Sequence, residues 1–166
     1  MTAGTTFSDI LTSIVRAWGS RKTDEPVLSL ALPMNGVDPL SKLPLLAGNE
    51  KFRFLWDGAP GRCMAAVGKC QYLEISGAKR FELAQRFSDV SFARLIDVTT
   101  DTPVYASPRI LLLFSFFEQT SERQRGQVVL PAVQAVLPRW QLSRQGRKGW
   151  LRLTAVATHE AEARDL

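Results

Sequence analysis

Apolar positions in this chain switch between two periods, and the switches mark out its elements. Phe7, Ile10, Leu11, Ile14, Val15 and Trp18 recur at three- and four-residue spacing, which predicts one apolar face of a short helix over Phe7–Trp18. Thr6 or Ser8 is placed to cap it, and Gly19-Ser20-Arg21-Lys22 to end it. Val27–Met34 is apolar on both faces except at Ser29, the pattern of a well-covered strand, and Pro33 marks its exit. Asn35-Gly36-Val37-Asp38-Pro39-Leu40 reads as a turn, with Leu40–Leu46 packing back as a loop or short helical turn.

The next stretch predicts three short strands, Phe52–Trp56, Cys63–Val67 and Cys70–Ile75. Gly58-Ala59-Pro60-Gly61 and Gly68-Lys69 supply the turns between them, because glycine reaches the positive φ of tight hairpins. A helix over Ala78–Phe92 follows, with Phe81, Ala84 and Phe87 on one side and Lys79, Arg80, Glu82 and Arg86 on the other. Ser76-Gly77 stands where its cap belongs. Val98–Ser107 reads as a loop, and Arg109–Phe117, the most apolar segment, as a central strand. Glu118–Gln127 is polar throughout and predicts an exposed loop, while Pro131 demotes Val128–Val136 from a regular central strand. Leu137–Leu142, Gln145–Gly149 and Trp150–Val156 make a hairpin, and His159–Leu166 starts a helix. Together these elements predict an α+β fold: an antiparallel sheet with helices packed on one face.

Size and composition narrow the class. The length, 166 residues, suits one domain, and 45% apolar with 22% charged residues describes an ordinary globular chain. The longest uncharged apolar run, Ile110–Phe117, is far too short to span a bilayer. No basic start with an apolar core opens the chain, so the expectation is a cytoplasmic protein with no membrane partner and reduced cysteines. The net charge of +5 gathers late, at Arg123, Arg125, Arg139, Arg144, Arg147, Lys148 and Arg152, with Trp140 and Trp150 among them. That stretch is either a nucleic-acid surface or a solvated hairpin whose arginine stems lie over its aromatics. No nucleic-acid signature accompanies the charge, which favours the second reading and makes nucleic acid an unexpected partner.

Candidate chemistry is sparse. His159 is the single histidine, and it lies beside acidic residues where a surface or helix-start role is the default. Cys63 and Cys70 are expected on neighbouring strands as core or half-buried thiols; with one histidine and no third cysteine, they cannot complete a four-ligand zinc site. No serine sits in a nucleophile elbow and no glycine-rich loop precedes a helix. The acids Asp38, Glu50, Asp57, Glu74, Glu82, Asp89, Asp97, Asp101, Glu118 and Glu122 show no spacing of a magnesium cage. Asp57 and Glu118 follow strand ends, where a functional acid can sit but a solvated one is the default. No catalytic, cofactor-binding or metal residue is assigned.

The order of several fragments nevertheless resembles a known family. Phe54-Leu55-Trp56-Asp57, Met64-Ala65-Ala66-Val67-Gly68 and Gly77-Ala78-Lys79-Arg80-Phe81 resemble the N-terminal region of isochorismate synthases. The likeness continues through Asp38-Pro39-Leu40, Pro108-Arg109-Ile110, Phe114-Ser115-Phe116-Phe117 and Leu137-Pro138-Arg139-Trp140, covering residues 27–157. The wording of the last two fragments looks most like the versions that feed phylloquinone synthesis in oxygenic phototrophs. The resemblance implies one half of the α/β sandwich of chorismate-utilising enzymes, with residues 1–26 as an N-terminal helix and linker. Residues 158–166 would then begin a helix leading to a C-terminal catalytic part. It implies a magnesium-dependent conversion of chorismate to isochorismate, in menaquinone or phylloquinone biosynthesis, by a lysine base and glutamates in that C-terminal part. The expectation is therefore a chain that is inactive alone, whose partner is the catalytic part and which meets chorismate and Mg2+ only in the complete enzyme. Two alternatives stand beside it: a free-standing non-catalytic binding module of the same ancestry, or part of another chorismate-using enzyme such as anthranilate synthase component I.

Overall fold

Two long strands, side by side, carry most of the pairing. The computed structural model describes residues 7–21, 23–99, 101–116, 131–159 and 162. In chain order the strands are β1 (Val27–Pro33), β2 (Arg53–Ala59), β3 (Arg62–Ile75), β4 (Leu95–Asp97), β5 (Leu111–Phe114), β6 (Val133–Gln145) and β7 (Lys148–Val156). They form one sheet ordered β2-β3-β6-β7-β1-β4, and β5 pairs with the first residues of β6 outside that path. All pairings are antiparallel except the short one between β1 and β4. Three helices, α1 (Phe7–Gly19), α2 (Pro39–Ala47) and α3 (Arg80–Arg94), and a 3-10 turn at Val104–Ala106 complete the α+β fold that the patterning predicts.

β3 corrects the expected meander of three short strands. Cys63–Val67 and Cys70–Ile75 are one strand of 14 residues, so Cys63 and Cys70 lie on the same strand, not on neighbours. Gly68 does adopt a positive φ, +69°, but serves a bulge and not a turn. Its register slips where Lys69 faces Pro138 and Gln71 faces Leu137. Pro138 has no N–H to give a ladder, and a bulge opposite is how a long strand accommodates one. Gly58–Gly61 does turn the chain between β2 and β3, with Ala59 paired to Arg62.

Two other strand expectations change. Arg109–Phe117 is not central: β5 covers four of its residues and, among the described residues, pairs only with β6. The central strand there is β6, although Pro131 argues against a regular central strand over its first residues, Val133–Val136. The strand begins two residues past that proline, so its ladder never needs the missing N–H. The expected loop Glu118–Gln127 lies outside the described residues, as do Arg123, Arg125 and most of the helix expected over His159–Leu166. The predicted β6–β7 hairpin is present, closed by Gly146-Arg147.

Capping shows how local sequence fixes the helices. Asp38 accepts from the Ser41 N–H at 3.0 Å and Pro39 follows at the first turn, so Leu40–Leu46 belongs to a full helix, not to a loop. Asp38 also pairs with Arg144 at 3.1 Å, tying α2 to β6. α1 starts at Phe7, which puts Ser8 inside it and not at its cap; Thr6 lies outside the described residues. Ser76 does not cap α3 either, since its hydroxyl accepts from the Ala132 N–H, and Lys79 takes the cap position without a side-chain bond. The buried side of α3 is Arg80, Ala84 and Ser91, while Phe81 faces outward.

Strand register separates two kinds of face. One runs apolar from Leu28 and Leu30 through Leu153 and Trp140 to Val67, and α1 lays Ile14 and Trp18 on Leu28. The other carries Ser29, Thr154, Arg152, Gln141 and Ser143, all buried. Arg152 is 1% exposed. Its Nη1 donates to Ser29 Oγ at 2.6 Å and Asp97 Oδ1 at 2.9 Å, its Nε to the Ala106 carbonyl at 2.9 Å, and its Nη2 to Thr102 Oγ1 at 3.3 Å. Gln141 Nε2 donates to the Ser107 carbonyl at 3.0 Å, and the Ala31 N–H donates to Thr99 Oγ1 at 2.9 Å. The segment from Asp97 to Ser107 is thus bonded down over the polar face. The solvated-arginine reading of the basic stretch fails at Arg152 for this reason, and Arg144 is engaged by Asp38.

Arg152→Met should lower stability by about 2–4 kcal/mol in urea denaturation, because it leaves Asp97 and the Ala106 carbonyl without their donor. Arg144→Ala, at a partly exposed pair, should cost under about 1 kcal/mol. Gly68→Ala should cost roughly 1–2 kcal/mol from the left-handed backbone alone. The new Cβ also meets Arg139 Cβ at 3.3 Å, while Gly19→Ala, with nothing within 4 Å, should be tolerated without loss.

Candidate functional site

A concavity with mixed chemistry lies where the β2–β3 hairpin, α3 and residues 105–112 meet. It encloses about 720 Å3. Paired positions Trp56 and Met64 form one wall, and Phe54 stands beside them, opposite Ala66 in the register. Met64, Ala66 and Leu111 make a small apolar core behind it, with Phe52 and Phe54 packed against it. Ser88 and Phe92 of α3 close the opposite side. Gly58 makes room for the Trp56 indole, since a Cβ there would fall 2.5 Å from ring atom Cε2.

Arg62, Arg109 and Arg144 border this cavity, and among the described residues no carboxylate lines it. Arg109 donates to the Val104 carbonyl at 3.5 Å, a weak hold that leaves most of its guanidinium to solvent. The Tyr105 hydroxyl and Arg144 Nε are buried atoms with no hydrogen-bond partner among the described residues. Tyr105 also borders a second cavity, with Asp101, Thr102, Lys148 and Trp150. Aromatic walls with peripheral cations suit the binding of a ligand. They do not amount to acid–base machinery.

The residues singled out by sequence reasoning scatter. Asp57 lies within β2, not at its end, and Glu118 is outside the described residues. His159 is exposed, and its N–H joins Thr158 in donating to Glu162, which holds the Glu162 carboxyl below its ordinary range. Among the described residues no group of three or more His, Cys, Asp or Glu gathers into a metal site. The described side chains therefore do not fit a magnesium ion, and no step through one is derived from them. Sequence reasoning missed the cavity because its walls come from four separate segments; the only local signal was Trp56 set between Arg53 and Arg62.

Both cysteines are free thiols. Burial pushes Cys63 up, with Asp57 adding to the effect and Arg144 opposing it. Burial pushes Cys70 up to about 11, against the Val156 backbone and Arg139. A raised thiol pKa means the folded state holds its proton where the unfolded chain releases it. Stability should therefore fall as pH rises from about 9 through about 11. Alkylation by iodoacetamide at pH 8 should be slow in the native chain and fast in urea, as read by mass spectrometry.

Comparison with known proteins places this geometry. A family model described as chorismate binding enzyme matches residues 12–166. Nothing among curated protein sequences matches the chain. Among solved structures, the menaquinone-specific isochorismate synthase MenF from Escherichia coli aligns at a TM-score of 0.53 and 20% identity, covering 95% of this chain. The chain spans 32% of MenF. At that identity the likeness shows a shared fold, and the resemblance read from the sequence is borne out at the level of family and fold. No helix among the described residues is long and apolar enough to cross a membrane. By its family match and its fold, the chain belongs to the chorismate-binding enzymes.

Proposed function

We propose that this chain is the N-terminal, non-catalytic part of a cytoplasmic isochorismate synthase of menaquinone or phylloquinone biosynthesis. Its partner is the C-terminal part, which carries the chorismate chemistry and the magnesium ligands. One observation carries the reading: a chorismate-binding family model spans residues 12–166, yet the chain aligns with only a third of MenF. An exposed apolar surface supports a protein partner. Phe81 and Phe114 pack with tilted rings at 5.3 Å between centroids while 54% and 47% exposed, and Leu112, on the same face of β5 as Phe114, is also exposed. A surface of that kind is characteristic of a protein contact. Its apolar character also favours this reading over a free-standing module, which would carry polar residues there.

The purified chain, incubated with chorismate and Mg2+ and analysed by chromatography, should yield no isochorismate, with the Escherichia coli enzyme as positive control. Adding a separately made C-terminal part of the same enzyme should restore turnover. Conversion by the chain alone, or failure to complement, would overturn the proposal.

A further inference from the structure

The cavity bounded by β2, β3, α3 and residues 105–112 carries more charge than its apolar walls require. Three guanidinium groups, Arg62, Arg109 and Arg144, border it, and among the described residues the lining contains no acid. Of the nearby carboxylates, Asp38 is committed to Arg144 and to the α2 cap. Asp57 stands near enough to Cys63 for its charge to raise that thiol's pKa. Arg62 and Arg109 are exposed, and the ion pairs described here use neither. Trp56 and Phe92, each about half exposed, and Phe54 offer flat apolar surface, and the Tyr105 hydroxyl stands buried without a partner among the described residues. The enclosed volume lies within the range of small-molecule sites.

We propose that this cavity is a binding site for an aromatic carboxylate. The ring lies between Trp56 and Phe92, and the carboxylate meets the planar donors of Arg62 and Arg109 at the rim. Guanidinium forks match a carboxylate in two parallel hydrogen bonds, which no neutral isostere reproduces. The Tyr105 hydroxyl is the polar group available to a ring substituent. The inference concerns this chain's own side chains and does not depend on which reaction the complete enzyme performs.

The test compares 2-naphthoate with 2-naphthamide, two probes of one ring system that differ in charge, by isothermal titration calorimetry on the 166-residue chain. Naphthoate should bind about tenfold more tightly than the amide, a difference within reach of one charge-assisted pair. The double variant R62A/R109A, at two exposed positions, should keep its circular dichroism spectrum, lose the preference and leave amide binding unchanged. Trp56→Leu should weaken both probes alike. Equal affinity for the two probes, no binding of either, or a preference that survives the double variant would each overturn the site.

Discussion

A guanidinium group buried in a sheet must be surrounded by acceptors, and Arg152 imposes that condition on half of this fold. Its donors reach a strand neighbour, the end of β4, and the backbone and side chains of the segment crossing above. Desolvating that charge costs several kcal/mol, and only the full set of partners offsets it. The segment from Asp97 to Ser107 therefore follows a path set by the arginine. It buries little apolar surface of its own: among its described residues Ala106 alone is fully buried. Because residues 105–112 continue directly from it, the same arginine sets where Tyr105 and Arg109 stand on the cavity. The candidate site inherits its geometry from a charge that never touches it.

Much of the fold was legible in the sequence. Period-two and period-four patterns located α1, β1, α3 and the β6–β7 hairpin, since each has one face decided by burial. The misreadings share a cause. Gly68 reads as a turn because positive φ serves turns and bulges equally; the bulge follows from Pro138, which faces Lys69 and lies 70 residues from Gly68 in the chain. Arg152, alternating with Leu151 and Leu153, looks like a solvent-facing position because pattern alone cannot show that a loop covers that face. For α3 the apolar positions gave only part of the buried side: Ala84 is buried, but Phe81 is exposed while Arg80 and Ser91 are buried.

The candidate site was the least legible part. Its parts come from the β2–β3 hairpin, α3, residues 105–112 and β6, and its cations are separated by tens of residues. What the sequence did carry was ancestry, through short fragments whose order mattered more than their chemistry. Fold and family followed from that order, while the cavity's charge followed from tertiary placement.

The position of β2 at the end of the strand order has a consequence for solubility. Its outer backbone groups have no partner strand among the described residues, and Leu55 and Trp56 are half exposed along it. Such an edge is a template for adding strands from other molecules. Here the charged Arg53 and Asp57 flank the apolar pair, and the irregular pairing between Trp56 and Ala59 bends the strand after only four regular residues. An incoming strand would lose register at that bend, so the feature that shapes the cavity wall also guards the chain against edge-to-edge aggregation.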